Sequence, residues 1–165
     1  MPSSPPFSVR ASGIHGRGVF ATRRIRKGTR LIEYTGERVT PEAADTRYDD
    51  DAHDHPHTYL FTVDAHTVID ASVGGNAARF INHSCHPNCE AVDDDGRIFI
   101  ETLRDIRPGE ELTYDYRLER DGHWRKDFAV RYACRCGAPN CRGVLLVRPK
   151  KPAARTHPPR SRPGP

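Results

Sequence analysis

No run in this 165-residue chain approaches the roughly 20 apolar residues that a membrane-crossing helix needs. The opening decapeptide, MPSSPPFSVR, lacks the apolar stretch of a secretory signal. These absences set the expectation of an intracellular chain with no membrane partner. There the five cysteines stay reduced, so clustered cysteine favours metal ligation over disulfides. No internal repeat is visible, and the length suits one domain better than two.

Acidic residues are absent from Arg148 onward, where six basic ones stand: Arg148, Lys150, Lys151, Arg155, Arg160 and Arg162. Subtracting those six from the net +4 leaves the rest of the chain near −2. Basic character therefore belongs to the tail, which confines any nucleic-acid contact to it and favours a basic peptide as the body's partner. Residues 1–8 and 148–165 hold too few apolar side chains to order themselves and are expected to be flexible.

Between them lie short apolar runs: GVFATRRI, RLIEYTG, YLFTVD, HTVIDA and GEELTYDY. EAVDDDGRIFIETL reads as a hairpin turning at Asp95-Gly96. Helix is scarce. Thr40-Pro41 forms an N-cap and first-turn pair for a helix to about Tyr48, and Gly75 to Ile81 suits one or two turns. The expectation is a mainly β domain of several small sheets. DDDAHDHPH (Asp49 to His57) reads as a solvated acidic loop, because Pro56 argues against a strand presenting His53, His55 and His57 as ligands.

Four stretches carry chemistry. In YACRCGAPNCRG, Cys134, Cys136 and Cys141 share a tight Gly- and Pro-containing loop, and thiolates that close repel without a cation among them. A closed zinc site needs a fourth ligand, for which Cys85, Cys89, His83, His86 and His123 are candidates. ARFINHSCHPNCE admits three readings: a Cys85 or Ser84 nucleophile, Asn82 and His83 as ligand-binding groups, or a capped turn. IHGRGVFA holds a lone G-x-G without the third glycine and helix of a dinucleotide fingerprint. In GEELTYDY, Tyr114 and Tyr116 alternate onto one face, and with Tyr34 and Tyr59 in other strands they would suit a cationic group.

In this order, HGRGVFA, EYTGE, GNAARFINHSCHPNC, GEELTYDY and CRCGAPNC resemble the SET-domain protein-lysine methyltransferases with a post-SET zinc loop, in their trithorax-like form. The resemblance covers about residues 9–147. It implies a SET domain over 9–117 with a threaded, pseudoknot-like C-terminal segment, then a linker and zinc loop over 118–147. It implies S-adenosylmethionine as methyl donor, held by His15, Gly16, Arg17, Gly18, Tyr59, Arg79, Asn82, His83, Tyr116 and Arg135. It makes Cys85 the fourth ligand of one structural zinc with Cys134, Cys136 and Cys141, and leaves Cys89 as a buried thiol. Tyr116 becomes the central catalytic tyrosine, Tyr34 a wall of the lysine channel, and Tyr114 the position that limits product to mono- or dimethyl-lysine. Residues 1–84 contain no cysteine, so no pre-SET cysteine cluster is expected. The implied partner is a histone or histone-like basic tail and the implied state a monomer, cytoplasmic in a bacterium and chromatin-bound in a eukaryotic or host nucleus. The alternative is a SET-fold binding module that has lost catalysis.

Overall fold

A computed structural model describes residues 4–48, 59–119 and 124–147. In chain order the described elements are β1 (Phe7–Ala11), β2 (Arg17–Ala21), β3 (Arg30–Glu33), β4 (Glu37–Val39), α1 (Pro41–Arg47), β5 (Leu60–Thr62), β6 (Val68–Asp70), a 3₁₀ turn (Ala77–Phe80), β7 (Asn82–His83), β8 (Cys89–Asp94), β9 (Arg97–Thr102), β10 (Glu111–Tyr114) and α2 (Phe128–Arg131). The strands build three small sheets, ordered β1-β2-β10-β7, β3-β9-β8 and β4-β6-β5. The mainly β expectation holds.

Local signals explain several boundaries. The Thr40 hydroxyl accepts from the Ala43 N–H and starts α1, with Pro41 at the first helical position. The β8–β9 hairpin turns where Asp95 and Gly96 both take positive φ, 53° and 76°, as expected for a tight hairpin. The Asn76 side chain caps the 3₁₀ turn by accepting from the Ala78 N–H. In β9, Ile98, Ile100 and Thr102 alternate inward.

The centre of the largest sheet is decided by long-range pairing. β10 inserts antiparallel beside β2, placing Leu112 opposite Val19, and parallel beside β7, placing Thr113 opposite Asn82 and Tyr114 opposite His83. Buried Asn88 also ties down β10, donating to the Glu111 carbonyl (2.8 Å) and accepting from the Thr113 N–H (2.9 Å). The core beneath gathers Val19, Ile69, Ile81, Ile100, Ile106 and Leu112, each at most 2 % exposed. Each such side chain contributes roughly 1.5–3 kcal/mol by leaving water.

Two boundaries differ from expectation. Phe7 and Ser8, assigned to a flexible end, begin β1, because the whole of β1 pairs with β2 in register from Phe7↔Ala21 to Ala11↔Arg17. Tyr34 and Tyr59 stand at strand ends, just after β3 and just before β5. The acidic loop with His53, His55 and His57, His123, and the tail from Arg148 lie outside the described residues.

Candidate active site and cysteine centre

The C-terminal loop closes back on the strand that carries the Asn82-His83 pair. The sulfurs of Cys85, Cys134, Cys136 and Cys141 all lie within 4.8 Å of one another, the one such group among the described residues. Backbone N–H groups point at three of them: Cys85 to Cys136 Sγ, Arg142 to Cys85 Sγ and Gly143 to Cys141 Sγ, at 3.4–3.5 Å. Burial opposes ionisation of the Cys136 thiol, yet the N–H groups of Cys85 and Ala138 and the neighbouring thiols bring it down to about 6. Burial pushes Cys85 and Cys134 up instead. Four converging sulfurs fit a soft divalent cation, which would hold them as thiolates.

Among the described residues, the other candidates for fourth ligand do not join this group. The His86 N–H donates to the Ser84 hydroxyl. Cys89 is fully buried, with its thiol pushed up to about 12 by that burial, which suits an inert core position. His83 sits behind the cluster. The backbone N–H of Tyr116 donates to His83 Nδ1 (3.0 Å), so the ring proton resides on Nε2, 3.4 Å from Cys85 Sγ. Burial lowers this histidine to about 4 against the opposing pull of Asp115. The ring is thus neutral, and Asp115 at 3.5 Å from Nδ1 is no ion-pair partner to it. Asp115 instead takes both terminal nitrogens of Arg142 at 2.8 Å, while Arg142 also donates to the Val144 and Leu145 carbonyls.

Tyr116 is held at both ends, through its N–H and through a hydrogen bond from its hydroxyl to the Ile81 carbonyl (2.8 Å). Its ring lies 4.9 Å from that of Tyr114, as shared placement on one face requires. Phe61 continues the aromatic wall between Tyr114 (6.4 Å) and Tyr34 (5.3 Å), and the Tyr34 hydroxyl donates to the Tyr59 carbonyl. Burial pushes the hydroxyls of Tyr34, Tyr114 and Tyr116 upward, so all three stay protonated and none is a base. A cleft of about 600 Å³ reaches this wall, lined in part by Phe61, Tyr114, Tyr116, Leu118 and Glu119.

On the glycine loop, the Asn82 side-chain nitrogen reaches four acceptors at 2.8–3.2 Å: Ser12 Oγ, the His15 and Arg17 carbonyls, and Glu111 Oε1. Glu111 also accepts from the Ser12 hydroxyl (2.7 Å). The two glycines thus have separate causes. Gly16 takes φ +44°, whereas a Cβ on Gly18 would stand 2.2 Å from Glu111 Oε1. Loop 12–18 is therefore pinned between β7 and β10. Its Arg17 guanidinium stacks on Phe80 (4.6 Å), which Arg79 also approaches (4.7 Å), with Tyr59 at 6.2 Å. Arg79 gives one nitrogen to the Ala71 carbonyl (3.1 Å), but its buried Nε has no hydrogen-bond partner among the described residues. That orphan donor, beside exposed His15 and Arg17, fits a bound ligand carrying acceptor groups. Arg135 is exposed between two of the clustered cysteines.

The tertiary structure thus brings together His15–Gly18, Tyr59, Arg79, Asn82, His83 and Tyr116, with the four cysteines directly behind. Sequence reasoning missed Ser12, Glu111, Phe61, Asp115 and Arg142. The carboxylates of Glu111 and Asp115 stood inside a quoted motif and were the available signal.

A family model described as the SET domain matches residues 16–117, more than half of the chain. The chain is 46 % identical over 145 residues to a histone-lysine N-methyltransferase, H3 lysine-4 specific, of Saccharomyces cerevisiae, covering 85 % of this chain and 13 % of that protein. It is 45 % identical over 145 residues to the protein of the same description in Aspergillus oryzae, covering 85 % and 12 %. It is 45 % identical over 148 residues to the histone-lysine N-methyltransferase ATX2 of Arabidopsis thaliana, covering 81 % and 12 %. The chain thus spans about an eighth of these relatives' length. With the pinned glycine loop, the aromatic wall and the cysteine cluster in place, the chain belongs to the SET-domain family.

Proposed function

We propose that this chain is an S-adenosylmethionine-dependent protein-lysine N-methyltransferase acting on a basic tail, with a histone tail as the substrate class its relatives' names indicate. The observation that carries the reading is the fixed Tyr116, tied to Ile81 and His83 and facing Tyr114 across 4.9 Å. His15, Arg17, Tyr59, Arg79, Asn82, His83 and Arg135 with the Gly16–Gly18 backbone would hold the donor. When bound, the donor supplies an electrophilic methyl group on a sulfonium.

The remaining work falls to the protein. An attacking lysine must be the free amine, and the wall of Tyr34, Phe61, Tyr114 and Tyr116 disfavours the ammonium form by excluding water. Because the three tyrosines remain protonated, the lysine proton leaves to water in the cleft. Tyr116 and Tyr114 orient the amine, and catalysis is chiefly positioning and desolvation. Zinc is the cation the four thiols suit, with Cys85, Cys134, Cys136 and Cys141 as ligands. His83, bonded to Cys85 on one side and Tyr116 on the other, joins that centre to the catalytic tyrosine.

Labelled S-adenosylmethionine incubated with a panel of basic proteins tests the reading. Label on mapped lysines is expected. Donor binding without transfer to any member would identify a binding module instead. Among the described residues no helix is long and apolar enough to cross a membrane.

A further inference from the structure

The chain leaves its last described residues on the wall of the cleft. Leu118 pairs with Leu146 in a parallel bridge, and the Val147 N–H donates to the Leu118 carbonyl at 2.9 Å. Leu118, Glu119 and Tyr116 all line the cleft. We propose that the basic segment after Val147 is the cleft's own occupant, folding back in cis and delivering Lys150 or Lys151 to the Tyr114–Tyr116 wall. This rests on the methyltransferase reading above and adds to it a self-directed substrate and a built-in competitor.

Reach permits it. Lys150 and Lys151 stand three and four residues beyond Val147, a span of up to about 10–14 Å at full extension. Tyr116 lies two residues before Leu118, within about 7 Å along the backbone. Charge selects it. Among the described residues, the cleft lining holds Glu90, Asp115 and Glu119 against Arg117. Asp115 is already taken by Arg142, which leaves Glu90 and Glu119, both exposed, to face the ligand. The segment from Arg148 carries six basic residues and no acidic one. Tethering then raises its local concentration to the order of mM, well above that of an ordinary partner in trans.

The step balances as the lysine reaction does. Lys150 or Lys151 loses a proton to water, and its nitrogen lone pair bonds to the donor's methyl carbon as the carbon–sulfur bond breaks. That electron pair stays on sulfur, giving the neutral thioether, and the nitrogen becomes a methylammonium.

Occupancy can be read without any donor. A fluorescein-labelled peptide copy of residues 148–165 is titrated against the chain ending at Val147 and against the full chain. The shortened chain is expected to bind at least tenfold more tightly, and Glu119→Lys in it to reverse most of that gain. Equal affinities, or binding indifferent to Glu119→Lys, overturn cis occupancy. The full chain is then incubated with S-adenosylmethionine alone and mapped by mass spectrometry. Methylation of Lys150 or Lys151 at a rate independent of protein concentration, and lost in the Lys150→Arg, Lys151→Arg double variant, supports delivery. A shortened chain that methylates a histone while the full chain leaves its tail unmodified overturns the inference and spares the function. Failure of both chains on both substrates overturns the two together.

Discussion

The strand body and the cysteine end are held together by different physics. Among the described residues, fourteen buried side chains of the body form one continuous cluster. In the end, the corresponding cluster among them is three, Phe128, Tyr132 and Leu146. With so little buried, the end is fastened by the four thiols and the Arg142–Asp115 pair, and metal binding at such a centre is folding free energy. The lesson is that the body is stable by burial, whereas the end is clipped to it at Cys85, one residue from buried Ser84 and two from His83. A part with little core of its own thereby completes the site.

The largest way to break this contrast is inside the body. Ile100 is fully buried, so Ile100→Ala should cost about 2–5 kcal/mol and shift the urea midpoint of the whole chain, whereas 80 % exposed Val130 changed to Ser should leave it unmoved. Tyr116→Phe removes the hydroxyl that bonds to Ile81 while keeping the ring; turnover should fall about 100-fold or more, with the circular dichroism of the sheets unchanged. Near-normal turnover would remove Tyr116 from its catalytic role.

Metal removal separates the two regions directly. Trp124, the chain's one tryptophan, packs edge-on against Phe128 and reports on the end alone. A zinc chelator or Cys141→Ser should change its emission and weaken donor binding about tenfold, while the sheets persist. A single transition shared by emission and dichroism would show that body and end unfold as one.

Arg142→Lys tests the clip's polar half. Replacing the paired contacts to Asp115 by one should cost about 1 kcal/mol, read as a lower midpoint for Trp124 emission and none for the body. The smallest effect is on product rather than rate. Tyr114→Phe keeps the ring but removes the hydroxyl proposed to crowd the amine, so mass spectrometry should show a shift toward higher methylation; an unchanged ladder contradicts the assignment.

Much of this was legible in one dimension. The Asp95-Gly96 turn, the Thr40-Pro41 helix start and the alternation of β9 are local, so nearest neighbours in sequence carry their cause. The pair of tyrosines two apart placed itself on one face for the same reason. The residues that escaped notice act across long separations: Glu111 reaches Ser12 over 99 positions, and Arg142 reaches Asp115 over 27. A carboxylate in a strand looks like a solvated face until its partners are known. Gly18 is the sharpest case, since a Cβ there would meet the carboxylate of Glu111, 93 positions away in sequence.

Residue order alone determined the mainly β class, the position of the basic tail and the presence of three cysteines in want of a fourth. Which residue completes the four was decided in three dimensions, where β7 delivers Cys85 to the loop and a fully buried Cys89 goes to the core. The insertion of β10 between β2 and β7 was decided there too, because pairing between distant segments depends on the loops they close and the core they share. Spacing can list candidates for a site; only convergence selects among them.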